Sequence, residues 1–288
     1  MRAFIDHVTA VISEYKFAAI LWAITGLTLI LFSSMGGYGN KVYLYLLVMT
    51  GAIFLSEIFI FAKGIKFQTE NWFIKSPKKE LIIIVFTQVI VAILLIYWFL
   101  IAKQHVESQA VKVSMLVLRA LFVFPIFFLL YFVWYRKYSL KQLGITNLNY
   151  WYIALPIIGL IGLSTYLAYS EGLQFEKIIN QNGYLSLLLL GFLTAAIPEE
   201  VTRVLLQTRL SQHLNSKTFG WYLAGVIWAF LHLPIFAFRA DDYSIALMNV
   251  IGILPIGLLW GYLNERYKSI IPSVLIHGTN LWGLQNLY

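Results

Sequence analysis

The stretch LIIIVFTQVIVAILLIYWFLIA, from Leu81 to Ala102, runs for 22 positions without a charged residue. As a helix it rises about 33 Å at 1.5 Å per residue. That exceeds the roughly 30 Å hydrocarbon core of a bilayer, so the stretch reads as a membrane-spanning helix. Eight further apolar runs surround it: Phe17–Ser34, Val42–Ala62, Met115–Tyr135, Tyr150–Ser170, Tyr184–Leu206, Phe219–Phe238, Tyr243–Tyr262 and Ile270–Tyr288. The sixth span in chain order has no breaker before His213, so its helix is expected to continue that far. The last run is short and holds several polar residues. The fold class predicted is all-α: a polytopic transmembrane helical bundle of about nine spans.

Composition agrees. Of the 288 residues, 60% are hydrophobic and 12% charged, against about 25% charged in soluble globular chains. With so few charges the surface cannot be coated for water, and lipid is the main solvent. The 18 Tyr and 9 Trp suit aromatic belts at the two membrane interfaces. There is no Cys, which removes disulfides, thiolate nucleophiles and thiolate metal sites. The net charge of +8 sits in short loops between apolar runs, a pattern of membrane orientation rather than of a nucleic-acid partner. Residues 1–16 lack the small-residue cleavage site of a secretory signal, so the first apolar run is expected to be a retained helix that directs insertion. The loop from Lys63 to Glu80 is expected to form at most an interfacial helix around Trp72 and Phe73.

If the spans alternate, one side receives fourteen Lys and Arg: residues 2, 16, 63, 66, 75, 78, 79, 136, 137, 141, 209, 217, 266 and 268. The other receives five, at 41, 103, 112, 177 and 239. The asymmetry predicts a cell-membrane protein with a cytoplasmic N-terminus.

Ionisable groups inside a span cost about 2.5–3.5 kcal/mol each on insertion scales and need a reason. Glu57 and Arg119 lie near span ends and are expected to snorkel or pair locally. A second set lies deeper. Ala195-Ala-Ile-Pro-Glu-Glu-Val-Thr-Arg203 carries two adjacent carboxylates and an arginine in the sixth span, Trp228-Ala-Phe-Leu-His232 a histidine in the seventh, and His277-Gly-Thr-Asn280 a histidine and an amide in the ninth. By helical rise Glu199 and His277 fall at comparable depth and His232 near the midplane, so three spans can pool these groups in one cavity. Pro198 removes a backbone hydrogen bond and predicts a kink that admits water. Arg203 follows Glu199 by four residues and Glu200 by three, so it can pair one carboxylate while the other points elsewhere. Taken singly, Arg203 reads as a structural counter-ion, Asn280 as a helix–helix hydrogen-bonding residue, and each histidine equally as packing or site. Taken together, the set reads as a site.

This constellation resembles the CAAX protease and bacteriocin-processing family of intramembrane proteases (CPBP, or Abi), which includes the type II CAAX prenyl endopeptidases. The likeness spans about Tyr184 to Trp282, and includes Gly257-Leu-Leu-Trp-Gly-Tyr-Leu-Asn-Glu-Arg266 and Ile271-Pro-Ser-Val-Leu-Ile-His277. The family has one more residue between the Glu pair and Arg, and one more between the last His and Asn. On that basis residues 150–288 are expected to form the protease core, and residues 1–149 to add transmembrane helices of unassigned role. The resemblance implies a glutamate-type endopeptidase. Glu199 and His232 would activate water, and His277 and Asn280 would stabilise the oxyanion, with Glu200 and Arg203 as a structural pair. No cofactor is expected; zinc on Glu199, His232 and His277 is the alternative. The expected partners are membrane lipids and a peptide or lipid-anchored protein substrate. The rival readings are a non-catalytic membrane scaffold or immunity protein of the same family and a proton-coupled transporter, the latter disfavoured by the lack of an internal repeat.

Overall fold

The computed structural model describes residues 2–36, 41–64, 72–104, 126–168, 192–240 and 242–280. In chain order the helices are α1 (Arg2–Glu14), α2 (Lys16–Gly36), α3 (Lys41–Ala62), α4 (Pro77–Gln104), α5 (Ile126–Leu129), α6 (Ala154–Ala168), α7 (Ile197–His213), α8 (Lys217–Phe230), α9 (Leu233–Arg239), α10 (Tyr243–Tyr267) and α11 (Ile271–Asn280). Two π-helical turns, Leu130–Tyr135 and Phe192–Ala196, follow α5 and precede α7. No strand occurs among the described residues.

Five stretches are long and apolar enough to cross a membrane: Lys16–Ser33, Val42–Ala62, Pro77–Tyr97, Lys217–Phe238 and Tyr243–Tyr267. The expected nine are therefore not reached among the described residues. Of the other four, Trp151–Ser164 is apolar but shorter than a crossing. Met115–Tyr135, Tyr184–Leu206 and Ile270–Tyr288 lie partly outside the described residues, as does Arg119. The chain is a multi-pass membrane protein. The apolar helices carry many large hydrophobic side chains on their outer faces, Leu31, Leu47 and Phe86 among them at 64%, 69% and 65% exposure, as a lipid-facing surface does.

The polar residues are inside. Helix α7 runs through the middle of the bundle with Glu200, Arg203, Gln207, Thr208 and Arg209 all buried. It lies against α8 and α4 and touches α10 and α11, so protein rather than lipid surrounds its polar groups. Helix α7 ends at His213, as its sequence predicts. Ser216 then caps α8 by accepting from the Phe219 N–H.

Helix α10 packs on α7 through Gly257 and Gly261, one turn apart. A Cβ on Gly257 would stand 2.5 Å from the Trp228 ring, and one on Gly261 would stand 2.8 Å from Gln207 Oε1. The close approach lets Arg203 donate to the Gly257 carbonyl at 2.8 Å and Gln207 to the Gly261 carbonyl at 3.0 Å. The spacing is a small-xxx-small face, the usual device for tight helix contact in membranes. Pro255 interrupts α10. The Tyr45 hydroxyl inserts there, donating to the Gly252 carbonyl at 3.1 Å and accepting from the Ile256 N–H at 3.2 Å.

One end of the bundle gathers the basic loops around three carboxylates. Glu57 accepts from the Arg266 guanidinium at 2.6 and 2.7 Å and faces His7 Nε2 at 3.0 Å. The pairing expected to be local thus joins residues 209 apart, because the ends of α3 and α10 meet. Glu80, fully buried, is held by Arg136 at 2.9 Å, Arg209 at 3.0 Å and the Tyr138 hydroxyl at 2.8 Å. Glu265 accepts from Trp72 Nε1 and from Lys268. Trp72 and Phe73 are not helical, within the expectation of at most an interfacial helix there. The Trp72 indole donates to Glu265 and its carbonyl accepts from Gln212 at 2.7 Å, which pins an irregular segment. Its ring also fills the space beside Gly144, where φ is +73° and any Cβ would stand 2.6 Å away.

Candidate active site

The site is built where α7, the α8–α9 junction, α10 and α11 meet. The π-helical turn Phe192–Ala196 leads into α7, and Pro198 occupies the second position of the helix. Ala196 keeps helical dihedrals, so the π-helical turn runs directly into α7. The local irregularity observed is the wide π-helical turn just before Pro198, where the proline ring would otherwise crowd the preceding turn. Gly278 of α11 allows the Phe192 ring to pack there; a Cβ would stand 2.3 Å from it.

The two adjacent carboxylates diverge. Glu200 is fully buried and lies 3.3 Å from Arg203 Nη2. It also accepts from Asn264 Nδ2 at 3.0 Å and faces His277 Nδ1 at 3.2 Å. Asn264 in turn accepts from the Ser273 hydroxyl. The Arg203 guanidinium lies 4.0 Å from the Trp228 ring centroid and 5.2 Å from that of Trp260, so two aromatic faces share its charge with Glu200. Glu199 points the other way. It accepts from the Trp228 indole N–H at 2.7 Å, and its Oε2 lies 3.6 Å from His232 Nε2 and 3.8 Å from His277 Nε2.

His232 owes its place to a break in the seventh span. The His232 N–H bonds to the Ala229 carbonyl, three residues back, and Pro234 sits at the start of α9. The Trp228 carbonyl accepts from His232 Nδ1 at 2.9 Å. A carbonyl only accepts, which puts the proton on Nδ1 and turns Nε2 towards Glu199. The same logic applies to His277, whose Nδ1 faces the Glu200 carboxylate. Its ring stacks on Trp260 with centroids 3.8 Å apart. Both imidazoles thus present Nε2 to one carboxylate. At 3.6 Å there is no direct hydrogen bond, but a water about 2.8 Å from both partners fits the donor and acceptor pattern.

The structure brings together Glu199, Glu200, Arg203, His232 and His277. Asn280 is the last residue of α11, and its side chain lies outside the described residues. Among the described residues no three His, Asp or Glu side chains converge closely enough to hold a metal ion. Sequence reasoning missed the roles of Trp228, Trp260, Asn264 and Ser273. Asn264 carried a usable signal, an amide in an apolar span; an indole contact to a distant carboxylate has none.

Comparison with known families bears on this same segment. Residues 181–282 match the family model of the type II CAAX prenyl endopeptidase Rce1-like proteins. The match takes in every polar residue of the site and leaves residues 1–180 outside it. No curated protein and no solved structure matches the chain.

Proposed function

We propose that the chain is an intramembrane endopeptidase of glutamate type, acting on a peptide or membrane-anchored protein tail that enters from the bilayer. The observation that carries this reading is one carboxylate, Glu199, faced by the Nε2 atoms of two histidines at 3.6 and 3.8 Å inside a membrane protein. Supporting it is the family match over that segment.

In this mechanism Glu199 takes a proton from a water held between it and His232. The resulting hydroxide adds to the peptide carbonyl carbon, and the carbonyl oxygen becomes an oxyanion. His277 and Asn280 donate to that oxyanion. For His277 to donate from Nε2 it must be the imidazolium, and Glu200 behind Nδ1 supplies the counter-charge. Collapse breaks the C–N bond, and Glu199 returns its proton to the leaving amine. The loop charges support a cytoplasmic N-terminus, with the basic end of the bundle on the same side.

The test uses purified protein in lipid nanodiscs with internally quenched CAAX peptides, one farnesylated and one not. Cleavage by the wild type is expected, with Glu199→Gln abolishing it and leaving the protein folded, and His232→Ala doing nearly the same. A chelator leaves the rate unchanged if water alone is activated and removes it if zinc on Glu199, His232 and His277 is required. Wild-type protein that cleaves no peptide, or full activity in Glu199→Gln, overturns the proteolytic reading. A cellular phenotype that survives Glu199→Gln but not deletion supports the non-catalytic scaffold instead. Solute flux into liposomes supports the transporter.

A further inference from the structure

We infer that Trp228 is a positioning residue that holds both members of the water-activating pair at once, Glu199 through its indole N–H and His232 through its backbone carbonyl. The inference rests on the proposed roles of Glu199 and His232 and adds the group that sets their mutual geometry.

Trp228 Nε1 lies 2.7 Å from Glu199 Oε2, the oxygen that faces both histidines. A donor at that length occupies one lone pair and fixes the plane of the carboxylate, leaving the remaining sites directed to water. The Trp228 carbonyl lies 2.9 Å from His232 Nδ1. In an unbroken helix this carbonyl would accept from the His232 backbone N–H, four residues on. Here that N–H goes to Ala229, and the carbonyl serves the imidazole of the same residue. The helix break thus fixes the histidine tautomer.

The indole is itself immobilised. Trp228 is 7% exposed, the Arg203 guanidinium lies 4.0 Å from its ring centroid, and Trp260 packs edge-on at 5.4 Å. Its ring meets the His232 ring at 4.6 Å and the His277 ring at 6.4 Å, both edge-on. Gly257 leaves the room for it. A fully packed tryptophan with its one polar atom aimed at a site carboxylate is more than core filling. Phenylalanine would keep an aromatic ring there but make no such bond.

The test compares two buried tryptophans of α8. Trp228→Phe keeps an aromatic ring and the backbone carbonyl but loses the indole N–H. Trp221→Phe loses an equivalent buried bond, 2.8 Å to the Leu258 carbonyl, outside the site. On the quenched CAAX peptide that the wild type cleaves, Trp228→Phe is expected to lower kcat about ten- to a hundredfold with KM unchanged, the size of effect that follows loss of orientation. Trp221→Phe is expected to lower the melting temperature and keep kcat. Benzothienylalanine at position 228 preserves the shape and replaces N–H with sulfur, and its kcat should fall as in Trp228→Phe. Full kcat in either 228 variant, or a loss confined to KM, overturns the proposal. Glu199→Gln is run alongside. If it keeps activity the underlying mechanism fails; if it is inactive while benzothienylalanine 228 is fully active, only the role of Trp228 fails.

Discussion

Arg203 shows how a guanidinium survives in the centre of a membrane bundle. It is 1% exposed, paired with Glu200, bonded to the Gly257 carbonyl and laid against two indoles. Removing one member of a buried pair leaves the other charge uncompensated, which typically costs 3–5 kcal/mol. Arg203→Ala is therefore expected to lower stability by about 3 kcal/mol or more in a denaturation series, and Glu200→Gln in that background to recover part of the loss. Glu199→Gln should show no comparable loss of stability, because Gln still accepts from Trp228 and leaves no charge unpaired. If Arg203→Ala melts like the wild type, the pair is not the structural element described. The sequence placed both acids within reach of Arg203, at three and four residues. Spacing alone could not say which would pair, since both spacings share a helical face; the family resemblance pointed to Glu200.

At the scale of an element, α10 carries two irregularities that bear on the site. Pro255 frees backbone groups in the middle of a span, and the Tyr45 hydroxyl bridges the Gly252 carbonyl and the Ile256 N–H. Tyr45→Phe should cost about 1–3 kcal/mol, because two buried backbone groups lose their partner. A thermal melt within error of wild type would show that the helix closes without the hydroxyl. Two residues further on, Gly257 admits the Trp228 ring. Gly257→Ala is expected to lower both the melting temperature and activity, because the rigid ring 2.5 Å from the new Cβ must move. Gly159→Ala is the control: nothing lies within 4 Å of its Cβ position, so stability should hold or rise slightly with helix propensity. Equal losses in the two variants would remove the special role of Gly257.

For the whole molecule the basic loops provide the test of orientation. Residues from the ends of α3, α7 and α10, from the start of α4 and from the segment after α5 converge on Glu57, Glu80 and Glu265. The start of α10 lies at its other end, about 37 Å away by helical rise over its 25 residues. The chain has no native Cys, so single cysteines report cleanly. Lys79→Cys should react with a membrane-impermeant maleimide only from the cytoplasmic side, and Tyr243→Cys, at a site 82% exposed, only from outside. Labelling of both from one side would overturn the alternation.

Composition and apolar run length alone determined that this is a helical membrane protein, because the cost of burying or exposing a side chain in lipid depends on the residue itself. The same reasoning located the spans Val42–Ala62 and Tyr243–Tyr262, the latter five residues short of the helix observed, and singled out Glu199, His232 and His277 as polar groups needing a reason. Run length could not settle the number of crossings. Helix α7 is polar along much of its length, and only the neighbours that shield it from lipid make that tolerable. The helix break at His232 was equally hidden, since Pro234 announces a disruption but not which carbonyl is released. Tertiary structure alone decided that Glu199 takes the Trp228 indole, and that Glu57 reaches Arg266 across 209 residues. Those choices depend on which faces of distant helices meet, and helical period fixes a face only relative to its own axis.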